Sequence, residues 1–175
     1  MNLNKCVFLD RDGVLNEERG EYTFTDSDFL IIDKVPEAIQ LLKEHGYLLI
    51  VVTNQGGIAK GIYTKADVQR CHQKLQAVCN DNINAIYYAP AHPSVSASLA
   101  RKPDSLMLER AIAKYSIDVT QSYLVGDRKR DMDAALKVGV TPIYVENTET
   151  PPTGITKVKN LYEAAEFILK QKTGM

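Results

Sequence analysis

The sequence has no surplus of either charge, no long apolar run and no paired-cysteine spacing, and each lack closes off a class of protein. With 21 Lys+Arg against 22 Asp+Glu the formal net charge is -1. The overall balance therefore offers no basic excess to favour nucleic acid or an anionic membrane. No apolar stretch approaches the roughly 20 residues of a membrane helix, and Met1-Asn2-Leu3-Asn4-Lys5 leads straight into a strand-like run with neither signal peptide nor anchor. Cys6, Cys71 and Cys79 are odd in number and show no C-x-x-C or C-x-H spacing, against a disulfide framework or a cysteine metal site. A reducing cytoplasm is the default location. Internal repeats and low-complexity linkers are also lacking. What is there is ordinary: 175 residues, 45% hydrophobic and 25% charged. That is about one domain, read as a single unit over 1–175, which should bury about 70% of its unfolded surface.

Along the chain, short apolar runs alternate with helical periodicity. Cys6-Val7-Phe8-Leu9 reads as a buried strand that stops at Asp10. Val35, Ala38, Ile39 and Leu42 then repeat at helical spacing, with Pro36 in the first turn and Gly46 just past the end. Tyr47 to Val52 is a second strand, leading into the loop Thr53-Asn54-Gln55-Gly56-Gly57, whose glycines allow close backbone approach to a ligand. Thr64 and Asp67 make a capping signature for a helix running to about Cys79. Ile83 to Tyr88, Ser122 to Gly126 and Val140 to Val145 complete a predicted set of five strands. Helices are predicted around Leu108 to Tyr115, from after Asp127 to about Val138, and over Leu161 to Ile168. Glu146 to Lys159, with Pro151-Pro152 and Gly154, reads as a surface loop. Such alternation implies right-handed βαβ units: an α/β, Rossmann-like three-layer fold around a central parallel sheet of about five strands. Ligands bind beyond the carboxyl ends of such strands, near the topological switch point.

Three predicted strand ends carry chemistry: Asp10 and Asp12 after the first, Thr53 after the second, Asp127 and Asp131 after the fourth. Two carboxylates two residues apart on a strand-to-loop bend cannot both sit ionised in one site without a cation or a pKa shift. A bare D-x-D-G is more often a solvated turn. The second acidic pair, together with Thr53 and Lys102, makes the difference. Oxygen-only ligands with room for phosphate and water suit Mg²⁺.

The ordered motifs D-x-D-G-V, T-N-Q, R-K-P and G-D-x-x-x-D resemble the haloacid dehalogenase-like phosphohydrolase superfamily, over roughly residues 5 to 145. Asp10 to Asn16, Val52 to Gly61 and Arg101-Lys102-Pro103 are similar to the D-glycero-D-manno-heptose 1,7-bisphosphate phosphatases. Histidinol-phosphatases share several motifs but usually lack the G-I-A-[RK]-G run shown by Gly57 to Gly61. The resemblance implies a Mg²⁺-dependent hydrolase of a small phosphorylated sugar, the heptose bisphosphate going to heptose 1-phosphate, with a place in lipopolysaccharide precursor synthesis. It implies Asp10 as the nucleophile that forms an aspartyl-phosphate, and Asp12 as general acid and base. Asp10, the Asp12 carbonyl and Asp127 would hold Mg²⁺. Thr53 and Lys102 would donate to the phosphoryl oxygens. Asp131 is either a surface acid at a helix start or the group that orients Lys102 or a metal-bound water.

Substrate contacts are expected from Glu18, Arg19 and Gly20 in a flap over about residues 16 to 28, from Asn54, Gln55 and Gly56, and from Arg101 and Arg128. Arg101 is suited to a second phosphate. For Arg19 and Arg128 an exposed arginine is the alternative. Many members of the family bind a structural zinc before R-K-P, but Ala89, Ala91, Ser98 and Ala100 stand where those ligands would be. His92 alone cannot make a site that needs four ligands. No zinc is expected, and His92 is a loop or substrate-edge residue. The spacing leaves room for a minimal cap or none. Competing readings are a histidinol or other small phosphomonoester phosphatase, a phosphatase of DNA 3′ ends using Lys60, Lys65 and Arg70, and a non-catalytic receiver-like phospho-acceptor. Asp12 argues against the last, because a group placed to protonate a leaving group implies turnover. Partners are then a small phosphorylated substrate, with no nucleic acid and no membrane, and a monomer is favoured.

Overall fold

The computed structural model describes residues 3–171; Met1 and Asn2, where the N-terminal reading begins, lie outside them. Six parallel strands form one sheet in the order β3-β2-β1-β4-β5-β6. They are β1 (Cys6–Leu9), β2 (Leu48–Asn54), β3 (Ala85–Ala89), β4 (Tyr123–Gly126), β5 (Thr141–Val145) and β6 (Thr156–Val158). The helices are α1 (Val35–Glu44), α2 (Lys65–Val78), α3 (Leu106–Tyr115), α4 (Lys129–Lys137) and α5 (Leu161–Lys170). None of these helices is long and apolar enough to cross a membrane.

Strand alternation divides the interior in two. Val7, Leu9, Leu49 and Val51 face one layer, with Ala38, Ile39 and Leu42 of α1, Cys71 and Leu75 of α2, and Leu161 and Ile168 of α5. Cys6, Phe8, Ile50 and Val52 face the other, with Leu108 and Ala111 of α3 and Met132 and Ala135 of α4. Because β1 is buried on both sides, its apolar run is continuous rather than alternating. The capping box of α2 is complete: Thr64 Oγ1 accepts from Asp67 N at 3.3 Å, and the Asp67 carboxylate accepts from Thr64 N at 2.7 Å.

One expectation needs correcting. The span read as a surface loop, Glu146 to Lys159, contains β6, which pairs in parallel with β5 through Ile143↔Thr156 and Val145↔Val158. Of its three residues only Val158 is buried. An edge strand that short has no apolar run to announce it. Between β1 and α1 the chain makes turns and isolated bridges, among them Asn16↔Ile31, and no helix. This is the small flap that the spacing allows.

Candidate active site

β1, β2 and β4 end side by side, and each hands its next residues to one place. Asp10 follows β1 directly, and its N–H donates to Val125 O of β4 at 2.9 Å, which ties the two strand ends together. The chain then folds tightly, with Leu15 N donating to Arg11 O at 2.8 Å and Gly13 N to Asn16 O at 2.8 Å. Gly13 has φ 85, and a Cβ there would lie 2.4 Å from Asp127 Oδ2. Glycine is thus required twice, by backbone conformation and by the carboxylate that β4 delivers.

Lys102 reaches this point from the loop after β3. Asn54, the last residue of β2, holds the Lys102 backbone from both sides, its Oδ1 accepting from Lys102 N and its Nδ2 donating to Lys102 O, each at 3.0 Å. The buried ammonium donates to Val52 O at 2.7 Å and stands 2.9 Å from Asp10 Oδ1 and 2.6 Å from Asp131 Oδ1. Asp131, in the first turn of α4, also accepts from Arg128 N through Oδ2 at 3.0 Å. Both of its oxygens are therefore engaged.

Three buried carboxylates against the Lys102 ammonium and an Arg128 guanidinium shared with Glu18 and Glu149 leave an excess of negative charge. Burial, and then repulsion by Asp131, push the Asp10 carboxyl up to about 7, Lys102 pulling the other way. Burial and Asp131 push Asp127 up to about 6, against the pull of Arg128 and Asn147. Burial alone would lower the Lys102 ammonium, but Asp10 and Asp131 outweigh it and hold its pKa above the usual value. Ligand oxygens of Asp10, Asp127 and Asp131 lie within 4.8 Å of one another, and among the described residues theirs is the one such acidic group. Asp127 Oδ1 is buried with no hydrogen-bond partner among the described residues. An orphaned carboxylate oxygen in a hard, oxygen-only, electron-rich setting fits a divalent cation such as Mg²⁺.

Asp12 is held from three directions. Arg11 grips its carboxylate through Nε and Nη2 at 3.2 and 2.8 Å, Asn16 Nδ2 donates at 3.0 Å, and Gln55 Nε2 donates at 3.0 Å. Gln55 also donates to the buried Thr53 Oγ1 at 2.9 Å and accepts from Tyr63 OH at 2.8 Å. Above these groups opens a cavity of about 490 Å³. Of the residues expected to touch substrate, Glu18, Gly20 and Gln55 line it, as do Asn54, Gly56, Arg101 and Arg128. Arg19 does not, being paired with Asp28 at 2.6 Å. Arg128 is tied to Asp127, Glu18 and Glu149. Arg101 Nη1 donates to Ala91 O at 3.1 Å, and His92, bonded to Ser94 Oγ at 2.8 Å, stands at the rim.

Sequence reasoning missed four contributors. Arg11, 1% exposed, has its guanidinium 5.2 Å from the Phe29 ring and donates to Thr23 O at 3.0 Å. Its position between the two motif aspartates was the available signal. Tyr63 and Asn147 carry no motif of their own; Asn147 donates to both the carbonyl and the carboxylate of Asp127. Arg130 lines the cavity beside the motif aspartates.

A parallel sheet that gathers a strand-end D-x-D, a threonine, a buried lysine and a second acidic pair at one edge defines a phosphatase of the haloacid dehalogenase-like class. The chain belongs to the family described as polynucleotide kinase 3 phosphatase, which matches residues 5–142. It is 37% identical over 160 residues, 87% of this chain and 86% of the relative, to a D-glycero-beta-D-manno-heptose-1,7-bisphosphate 7-phosphatase of Haemophilus influenzae. The corresponding protein of Escherichia coli K12 is 37% identical, covering 85% and 82% of the two chains. A crystal structure of the D,D-heptose 1,7-bisphosphate phosphatase from B. bronchiseptica, complexed with magnesium and phosphate, superposes with a TM-score of 0.88. It is 26% identical, with 95% of this chain and 99% of that chain covered.

Proposed function

We propose that this phosphatase hydrolyses D-glycero-D-manno-heptose 1,7-bisphosphate at its 7-phosphate, releasing heptose 1-phosphate. The observation that carries the substrate is the shared name of relatives 33% to 38% identical over most of this chain. The cavity supports it, being polar, rimmed by arginine and open enough for a sugar.

In the chemistry, Asp10 Oδ1 is held by Arg11 N at 2.8 Å and by Lys102, which leaves Oδ2 to attack phosphorus in line. The ester P–O bond breaks as the P–O bond to Asp10 forms, and Asp12 gives its proton to the departing alkoxide. Water then attacks phosphorus while Asp12 takes its proton, and the aspartyl–phosphorus bond breaks to free orthophosphate and Asp10. Thr53 and Lys102 donate to the phosphoryl oxygens, where preorganised charge does most of the work. Arg11, Asn16 and Gln55 fix Asp12, and Asp131 positions Lys102. Asp10, the Asp12 carbonyl and Asp127 would hold Mg²⁺, which when bound screens the anionic nucleophile from the anionic phosphate.

The loop before Arg101 works without zinc. Ala91, Ser98 and Ala100 supply no thiolate or imidazole, and Val95 N and Ser96 N both bond to His92 O instead. The protein acts as a single-domain monomer in the cytoplasm, where Cys6, Cys71 and Cys79, all buried and free, stay reduced. Against DNA ends, Arg70 is already paired with Asp67 and Lys60 stands over the Tyr22 ring. Phosphate release with Mg²⁺ from the heptose bisphosphate, histidinol phosphate and a 3′-phosphorylated oligonucleotide tests the reading. The heptose bisphosphate is expected to lead; a lead for either of the others overturns it.

A further inference from the structure

Four arginines line the cavity: Arg11, Arg101, Arg128 and Arg130. Two are neutralised within the protein, Arg11 by Asp12, and Arg128 by Asp127, Glu18 and Glu149. Among the described residues Arg101 has only the Ala91 carbonyl as a hydrogen-bond partner. Arg130 has neither ion pair nor side-chain hydrogen bond among the described residues, and its Nε is buried without an acceptor. A guanidinium so placed costs stability, because a desolvated donor is left unmet. Its position adds to the cost: it lies in the first turn of α4, where the helix dipole favours anions over cations. Arg101 feels it too, its pKa held below the usual value by burial and then by repulsion from Arg130. Two guanidinium groups that repel each other, neither paired with a carboxylate among the described residues, line the same cavity. A phosphate dianion would satisfy both, since each fork can meet two oxygens.

We infer that Arg130, acting with Arg101 on the cavity wall, binds the substrate's second phosphate, the one that is not cleaved. The inference rests on the bisphosphate reading above, and it makes Arg130 a determinant of specificity rather than of chemistry. The group that reacts is left to Asp10, Thr53 and Lys102 at and beyond the strand ends, whereas the distal anion is met by Arg101 and by Arg130 of α4 on the cavity wall. An uncharged residue at 130 would leave Arg101 alone with that anion and weaken the preference for two phosphates over one.

The test compares fructose 1,6-bisphosphate with fructose 6-phosphate as competitive inhibitors of p-nitrophenyl phosphate hydrolysis. Wild-type protein is measured beside Arg130→Gln and Arg130→Lys. In the wild type the bisphosphate should inhibit at the lower concentration. In Arg130→Gln the ratio of the two inhibition constants should shrink by roughly 10- to 100-fold, the worth of a lost charge-assisted contact, and Arg130→Lys should restore part of it. Equal inhibition constants in the wild type, or a ratio that the substitution leaves unchanged, overturn the assignment of Arg130. Failure of the heptose sugar in the substrate panel, with the ratio still responding, overturns the sugar and leaves the arginine pair standing.

Discussion

Lys102 and Asp131 form an ion pair 2.6 Å long in which neither side chain has any solvent exposure. Breaking a buried pair by neutralising one partner costs about 3 kcal/mol or more, and here it also loosens the ammonium proposed to meet the phosphate. Asp131→Asn keeps an acceptor for Arg128 N but removes the charge. It should lower kcat by roughly 10- to 100-fold, with a smaller change in KM. With one fewer carboxylate to hold it up, the Lys102 pKa falls, so the alkaline limb of the pH–rate profile should move to lower pH. A profile that keeps its shape would reduce Asp131 to a packing role.

Metal binding should depend steeply on pH. In the folded protein Asp10 and Asp127 titrate near 7 and near 6, against an ordinary value of 3.8. Between these values the folded state holds protons that the unfolded chain has released. Their contribution to metal-free stability is therefore full below about pH 4 and is lost as pH rises through 6 to 7. A cation competes with those protons and relieves the repulsion that replaces them. The rise in Tm on adding Mg²⁺ should be small at pH 5 and larger at pH 8, as thermal denaturation at both pH values would show.

Asp10→Asn removes the proposed nucleophile and one of three crowded acids. Phosphate release should vanish while the fold persists. The metal-free variant should unfold at a higher temperature than metal-free wild type at pH 8, because a buried ionised carboxylate is gone.

Gly13→Ala places a methyl group against the Asp127 carboxylate in a backbone conformation that side chains rarely adopt. Strain of about 1–3 kcal/mol is expected, and the Asp127 side chain must turn away. Mg²⁺ affinity, read by calorimetric titration, should fall by at least about tenfold.

Arg11→Lys exchanges a two-pronged grip on Asp12 for a single contact and withdraws the planar group beside Phe29. Activity should fall roughly tenfold or more, and the substrate's KM should change less than kcat.

Much of this architecture was legible in the sequence because its signals are local. The run Cys6 to Leu9 followed at once by Asp10, the Thr64 cap and the Gly126-Asp127 strand end each name an element within a few residues. What escaped depends on groups distant in the chain. Nothing near Arg11 announces that Thr23 and Phe29 will close over it, and nothing near Lys102 shows Asn54 grasping its backbone from 48 residues away. Arg19 illustrates the converse. Its flap position pointed to substrate, yet Asp28, brought back by the turns between them, occupies it. The edge strand β6 was missed for a third reason: three residues with one buried valine fall below what periodicity can resolve.

The strand order puts β1 at the middle of the sheet, between β2 and β4, and all the groups proposed to react, except Lys102, begin within a few residues of those three strands. On the proposed reading, recognition comes instead from the flap, the loop before Arg101 and the first turn of α4, which line the cavity. On that reading bond breaking is tied to the strand ends at the middle of the sheet, and choice of substrate to the turns around them. A descendant of this chain could exchange one sugar for another by rewriting surface turns while leaving every atom that meets the scissile phosphate where it stands.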